Sequence, residues 1–234
     1  LRSGAGLVTA YVPQCGYTPL QTALPEVMTL TDGSQTHITS IPDITAYNAI
    51  AIGPGIGQEP DTLKALFKLI ETAKKPLVLD ADALNLLSHN LQWLNRLPVN
   101  SIITPHPKEF ERLFGTSPNS MQRLEVARRH AKEHNIIIVL KGAYTAIVSP
   151  QQDVWFNSTG NPGMATGGSG DVLTGIITGM LSQGYEPLQA AINGVYLHGL
   201  AGDLAAQKLG QESMIASDIV AHLGSAFGMC CGNQ

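Results

Sequence analysis

Between Asn161 and Leu181 the chain reads NPGMATGGSGDVLTGIITGML. Gly167, Gly168 and Gly170 crowd together just ahead of Asp171. Val172, Leu173, Ile176, Ile177, Met180 and Leu181 then recur at helical spacing, which predicts a helix starting near Gly170. The first N–H groups of a helix have no internal acceptor and carry a partial positive charge. Glycine lets the backbone approach an anion closely and adopt positive φ. Gly167, Gly168, Ser169 and Gly170 are therefore a candidate cradle for a phosphoryl group. Asp171 fits two roles. It is a favourable first-turn residue, stabilised by the helix dipole by ~0.3–1 kcal/mol. It is also placed to act as a base on a substrate hydroxyl beside a bound phosphoryl group. Three glycines where a plain turn needs one favour the second role. No GxxxxGK[ST] and no GxGxxG pattern occurs, which disfavours a P-loop or a dinucleotide fingerprint.

Other chemistry-bearing residues follow short apolar runs. AIAIG (49–53) leads into GPGIG, with Gly53, Gly55 and Gly57. PLVLD (76–80) leads into Asp80, Asp82 and Asn85, two carboxylates that could share a divalent cation, although Asp82 also suits a helix cap. SIITP (101–105) leads into His106, between two prolines, and Glu109, three residues on. IIIVL (136–140) leads into Lys141-Gly142-Ala143-Tyr144-Thr145, where Lys141 offers a mobile point charge to a phosphate. His106 also reads as a surface loop residue, Glu109 as a first-turn acid, and Lys141 as a strand-end lysine. His198 and Asp203 read as helix-packing residues, and Gly175 and Gly179 as places where another helix comes close.

These residues need elements to hold them. The runs at 49–53, 76–80, 101–105 and 136–142, together with LVTAYV (7–12), are continuously apolar, as expected of strands buried on both faces of a parallel sheet. Helical patterns lie between them, at DTLKALFKLIETAK, ADALNLLSHN, PKEFERLFG and SMQRLEVARRHAKEH. TAIVSP and VWFN around QQD predict a hairpin. The last third reads as helices at 170–182, 187–208 and 213–226. Strand–helix alternation predicts one doubly wound α/β domain over residues 1–234. In such sheets ligands bind beyond the carboxyl ends of the strands, where the chemistry-bearing residues above gather.

Composition supports this. Of 234 residues, 44% are apolar and 14% charged, with a net charge of −4 and no Lys/Arg block. A nucleic-acid or acidic-membrane partner is disfavoured. No run is apolar and long enough to span a membrane. The three cysteines, Cys15, Cys230 and Cys231, lack CxxC spacing, with the last two in a terminal tail. They read as unpaired thiols of a reducing, cytoplasmic protein. The opening Leu1-Arg2-Ser3 reads as the last turn of a helix stopped by Gly4 or Gly6, which predicts an earlier strand and helix.

The stretch GNPGMATGGSGDVLTG resembles the signature of the ADP- or ATP-dependent NAD(P)H-hydrate dehydratases, a branch of the ribokinase-like superfamily. AIGPGIG, VLDADALNLL, TPHPKEFERLFG, VLKGAYTAI and YLHGLAGDLA resemble the same family in the same order. The resemblance implies a ribokinase-like three-layer sandwich, with a mostly parallel sheet and helices on both faces. It implies dehydration of the 6-hydroxylated hydrate of NADH or NADPH, driven by ADP or ATP with Mg²⁺. It assigns Asp171 as catalytic. The nucleotide falls to Lys141, Gly142, Ala143, Tyr144, Thr145 and Gly170, and the hydrate to Gly55, His106 and Asp171. Gly167, Gly168, Ser169 and Gly170 form the anion cradle, and Glu109 reaches Mg²⁺ through water. The family more often has Thr where Ser169 stands. The resemblance also implies a homo-tetramer, a chain that begins one βα unit earlier, and in some members a preceding epimerase domain. A ribokinase-like kinase for a small vitamin precursor, and a non-catalytic adenine-nucleotide sensor, share these features and remain as alternatives.

Overall fold

The computed structural model describes residues 1–231. Six strands form one sheet in chain order: β3 (Ile50–Ile52), β4 (Leu77–Leu79), β5 (Ile102–Ile103), β6 (Ile137–Leu140), β7 (Ala146–Val148) and β8 (Val154–Phe156). β3 to β6 run parallel, and β7 and β8 add as the antiparallel hairpin expected around QQD. Alternation along the strands builds the layers. Leu77, Leu79, Ile103 and Ile138 face one side, against α2 (Pro60–Thr72), α3 (Ala81–Ser88), α4 (Pro107–Phe114) and α5 (Ser120–His134). Val78, Ile102, Ile137 and Val139 face the other, against α6 (Ser169–Ser182) and α7 (Pro187–Leu209). α8 (Ala216–Cys231) closes the far side of that helical layer through Ile219, Leu223 and Ala226. This is the doubly wound α/β arrangement expected from strand–helix alternation, in the three layers that the resemblance implied.

Local chemistry sets the helix ends. α2 and α7 start with Pro at the first turn, where a missing N–H costs nothing. Asn119 caps α5 by accepting from the Gln122 N–H at 2.9 Å. Asn135 ends α5 in the left-handed region at φ 52°.

Three expectations need correction. LVTAYV does not join the main sheet. Its ordered part, β1 (Thr9–Val12), pairs in parallel with a short β2 (Met28–Thr31) across α1 (Tyr17–Ala23), and Leu7 is 81% exposed. An apolar run announces burial but not its pairing partner, and only the fold decides which edge it meets. Gly175 and Gly179 admit no helix: a Cβ at 175 meets nothing within 4 Å, and one at 179 would strike Ser3 Oγ. The close helix approach is at Gly194 of α7, where a Cβ would lie 2.7 Å from Ile177 Cγ1 of α6. Finally, Cys230 lies within α8 rather than a tail; it and Cys15 are free and exposed.

Beside β3 a cavity of about 510 Å³ opens between β1, the whole of β3 and the length of α6 from Asp171 to Ser182, with Tyr11, Ile44, Gly53 and Thr174 also on its walls. Asp32, buried behind this wall, accepts from the Tyr11 hydroxyl at 2.8 Å. Burial alone would raise the Asp32 carboxyl, yet donors from Thr39, Ser34 and Tyr11 hold it well below the usual range.

Candidate active site

The carboxyl ends of the four parallel strands are stitched side by side. The Asp80 N–H donates to Ile52 O at 3.2 Å, Thr104 N–H to Leu79 O at 3.1 Å, and Lys141 N–H to Pro105 O at 2.9 Å. This brings together residues that lie far apart in the chain. Lys141 Nζ donates to Asp80 Oδ1 at 2.8 Å and lies 3.9 Å from Glu109 Oε2. The other Asp80 oxygen accepts from Thr174 Oγ1 at 2.8 Å, inside the protein. Asp80 is 1% exposed. The next residue, Ala81, is held at φ 48°, a left-handed conformation costing a side-chain-bearing residue about 1–2 kcal/mol. Gly53 must be glycine, since at φ 140° its Cβ would fall 1.8 Å from Asp80 O.

The first turn of α6 faces this pair. Gly168 enters the helix at φ 85°, and Ser169 rather than Gly170 is the first helical residue. A Cβ at Gly170 would sit 3.4 Å from Lys141 Nζ and 3.7 Å from Asp80 Oδ2. The helix start therefore lies over the ion pair, although the Ser169 N–H already donates to Thr166 O at 3.3 Å. Partial burial holds the Asp171 carboxyl above its ordinary value; the charge of Asp80 adds to this, and Lys141 opposes it. Ser169 Oγ lies 3.3 Å from His198 Nε2 of α7. Burial pushes that imidazole down to about 4, with Lys141 adding to the effect, so it is neutral at physiological pH.

His106 and Glu109 form a reciprocal cap at the start of α4. His106 Nδ1 accepts from the N–H groups of Lys108 and Glu109 at 3.1 and 3.3 Å. Glu109 Oε2 accepts from the His106 N–H at 2.8 Å, and its Oε1 lies 3.3 Å from His106 Nε2. The first-turn reading of Glu109 is therefore correct as far as it goes, and the carboxylate still faces Lys141. In the loop after β6, Thr145 Oγ1 donates to Gly142 O at 3.1 Å, and Tyr144 is 77% exposed. A Cβ at Gly142 or Gly167 would meet nothing within 4 Å, and neither residue has positive φ. No demand of the chain itself explains glycine at either position.

Asp80 and Asp82 do not act as a pair. Asp82 accepts from Gly57 N–H at 3.0 Å and Gln58 Nε2 at 3.3 Å, so it fastens the GPGIG loop instead of capping α3. Gly55 sits in that loop at φ 67° with open space before it. Asp203 does more than pack. It accepts from Gly160 N–H at 2.8 Å and Asn161 Nδ2 at 2.9 Å, anchoring the segment that leads into the glycine cradle. Thr174 was not foreseen, although three residues beyond Asp171 puts it on the same side of the helix. The partnership of Lys141 with Asp80 was not foreseen either, since 61 positions separate them.

The profile described as NAD(P)H-hydrate dehydratase matches residues 1–224. The chain belongs to the NAD(P)H-hydrate dehydratase family. The bifunctional NAD(P)H-hydrate repair enzyme Nnr of Moorella thermoacetica is 43% identical over 230 residues, covering 94% of this chain and 43% of the relative. The chain thus spans less than half the length of that relative. The ADP-dependent (S)-NAD(P)H-hydrate dehydratase of Bacillus subtilis is 37% identical over 232 residues, covering 97% and 82%. A crystal structure of the ADP/ATP-dependent NAD(P)H-hydrate dehydratase from Bacillus subtilis, co-crystallised with ATP/Mg²⁺, superposes with a TM-score of 0.83 at 34% identity, covering 97% of this chain and 80% of that one. The dehydratase family shares with its structural neighbours the ribokinase-like fold seen here.

Proposed function

We propose that the protein carrying this chain dehydrates the (S)-hydrate of NADH or NADPH, with ADP or ATP as co-substrate. Family membership supports the reaction class. The structural observation that carries the reading is Asp171, on the wall of the cavity beside β3 and on the first turn of α6, above the Lys141–Asp80 pair. A carboxylate there serves both a hydroxyl in the cavity and a phosphoryl group at the helix start.

On this reading the nucleotide lies along Lys141, Gly142, Ala143, Tyr144 and Thr145. Its terminal phosphoryl group rests on the N–H groups of Gly167, Gly168, Ser169 and Gly170. The hydrate enters beside Gly55 and His106. Asp171 takes the proton of the ring hydroxyl as its oxygen bonds to phosphorus and the bond from phosphorus to the nucleotide breaks. Hydroxide, a poor leaving group, becomes phosphate. Departure of phosphate from the ring carbon, with loss of a proton from its neighbour, restores the dihydropyridine double bond. Burial and the charge of Asp80 raise the Asp171 carboxyl, which makes it a stronger proton acceptor than an ordinary aspartate. Around Lys141 stand the carboxylates of Asp80, Glu109 and Asp171, an excess of negative charge that fits a divalent cation. Glu109 would hold Mg²⁺ there through water, where the ion would supply charge neutralisation for the phosphates. The whole chain is carried as one dehydratase unit of a cytoplasmic homo-tetramer, an assembly that sedimentation of the purified protein checks.

The test is spectroscopic. Hydrated NADH, Mg²⁺ and either ADP or ATP are mixed with the protein, and the reduced-nicotinamide band is followed. Return of the band only with nucleotide supports the dehydratase and names its co-substrate. A flat band with a stable phosphoester product makes it a kinase, and nucleotide binding without turnover makes it a sensor.

A further inference from the structure

On the opposite helical layer, α5 carries His130, Glu133 and His134 in H-x-x-E-H spacing. Residues three and four apart share a helix face. The structure brings one donor atom of each to within 4.8 Å of the others. His130 Nδ1 lies 3.3 Å from His134 Nε2 and 3.3 Å from Glu133 Oε2. Tetrahedral ligands at the zinc–nitrogen distance of about 2.0–2.1 Å stand about 3.3–3.4 Å apart. We propose that His130, Glu133 and His134 form a binding site for a zinc-type divalent transition metal ion, separate from the nucleotide site. Two imidazoles and a carboxylate make a donor set for such an ion rather than for Mg²⁺, which takes oxygen ligands.

Two further contacts suit the role. Asn95, on the short 3-10 helix Leu91–Arg96, accepts from His134 Nδ1 at 2.6 Å. Protein metal sites commonly use such a partner, which fixes the tautomer and leaves Nε2 free to ligate. The hydrogen bond between the two imidazoles must then be donated by His130 Nδ1. Metal entry moves that proton to His130 Nε2, with no net change of charge on the ring. Phe114 of α4 stacks on His130, with centroids 4.2 Å apart and planes at 17°, and locks its ring. Burial holds both histidines below their ordinary pKa, which favours the neutral, metal-binding form at neutral pH.

Calorimetric titration of the metal-free, untagged protein with Zn²⁺ tests this. One ion per chain is expected, together with a rise in melting temperature. Asn95→Ala should weaken binding about 10–100-fold, and the paired change His130→Ala with His134→Ala should abolish it. Because His130 packs on Phe114, Glu133→Gln is the companion variant: Glu133 is half exposed, so its change leaves packing alone and should still cost at least about tenfold. Unchanged binding in these variants, or no uptake of Zn²⁺ by the wild type, would overturn the site. None of these residues belongs to the nucleotide site, so failure here leaves the dehydratase reading untouched.

Discussion

Asp171 carries conflicting demands. Its carboxyl is held above the ordinary value of 3.8 by partial burial and by Asp80. The fold therefore disfavours its ionised form: that penalty is absent below pH 3.8 and grows as pH rises through the folded-state pKa. Asp171→Asn removes the penalty along with the base. Turnover should drop about 10²–10⁴-fold, while nucleotide affinity stays near wild type and the melting temperature at pH 7 holds or rises. Near-normal turnover would take Asp171 out of the base role. In the wild type, kcat/KM should fall on the acid side at a pH above that of an ordinary aspartate. Lys141 makes the reverse case. Its ammonium balances Asp80, which is 1% exposed, so Lys141→Ala strands a buried carboxylate, at a cost of about 3–5 kcal/mol. The same change should weaken nucleotide binding more than hydrate binding. A chemical denaturation curve and two binding titrations separate the effects, and the opposite order of affinities would refute the assignment.

At the level of elements, the site is made of loops that leave strands and enter helices, and their glycines are of two kinds. Gly53 and Gly168 are required by backbone conformation or close packing. Gly142 and Gly167 are required by neither. Gly142→Ala and Gly167→Ala should leave the fold intact, or stabilise it by about 0.4–1 kcal/mol, while raising the nucleotide Kd. Thermal melts with and without ADP read both effects. Unaltered affinity in both variants would mean the loops do not press against a ligand. The start of α4 shows how one element serves two ends: the reciprocal cap between His106 and Glu109 fixes the helix and turns the Glu109 carboxylate toward Lys141.

Across the whole molecule, His198 ties α7 to the start of α6 through Ser169. Its pKa falls from 6.5 to about 4, so the fold accepts it neutral and resists its protonation. Stability is full above pH 6.5 and declines as pH falls toward 4, a loss of about 3 kcal/mol from this residue. His198→Gln should flatten the decline in melting temperature across that window. A slope identical to wild type would mean that other groups govern acid unfolding.

Much of this architecture is legible in the chain. Continuous apolar runs at 76–80, 101–105 and 136–142 read as strands covered on both faces and form the sheet's interior, whereas 49–53, read the same way, is an edge strand with Ala51 exposed; the helical periods between the runs point to a parallel sheet. The glycine run before Asp171 makes the helix start a candidate anion site, because helix starts and flexible backbone have that property in any fold. Pairing between distant groups could not be read this way. Lys141 meets Asp80, Thr174 meets Asp80, and Ser169 meets His198 only after the sheet sets the strand ends side by side and the helices cover them. LVTAYV looks like its neighbours in composition, yet it pairs outside their sheet. Local pattern reports whether a residue will be buried and in which element. Which charge it meets there is a long-range contact, set by how the layers stack.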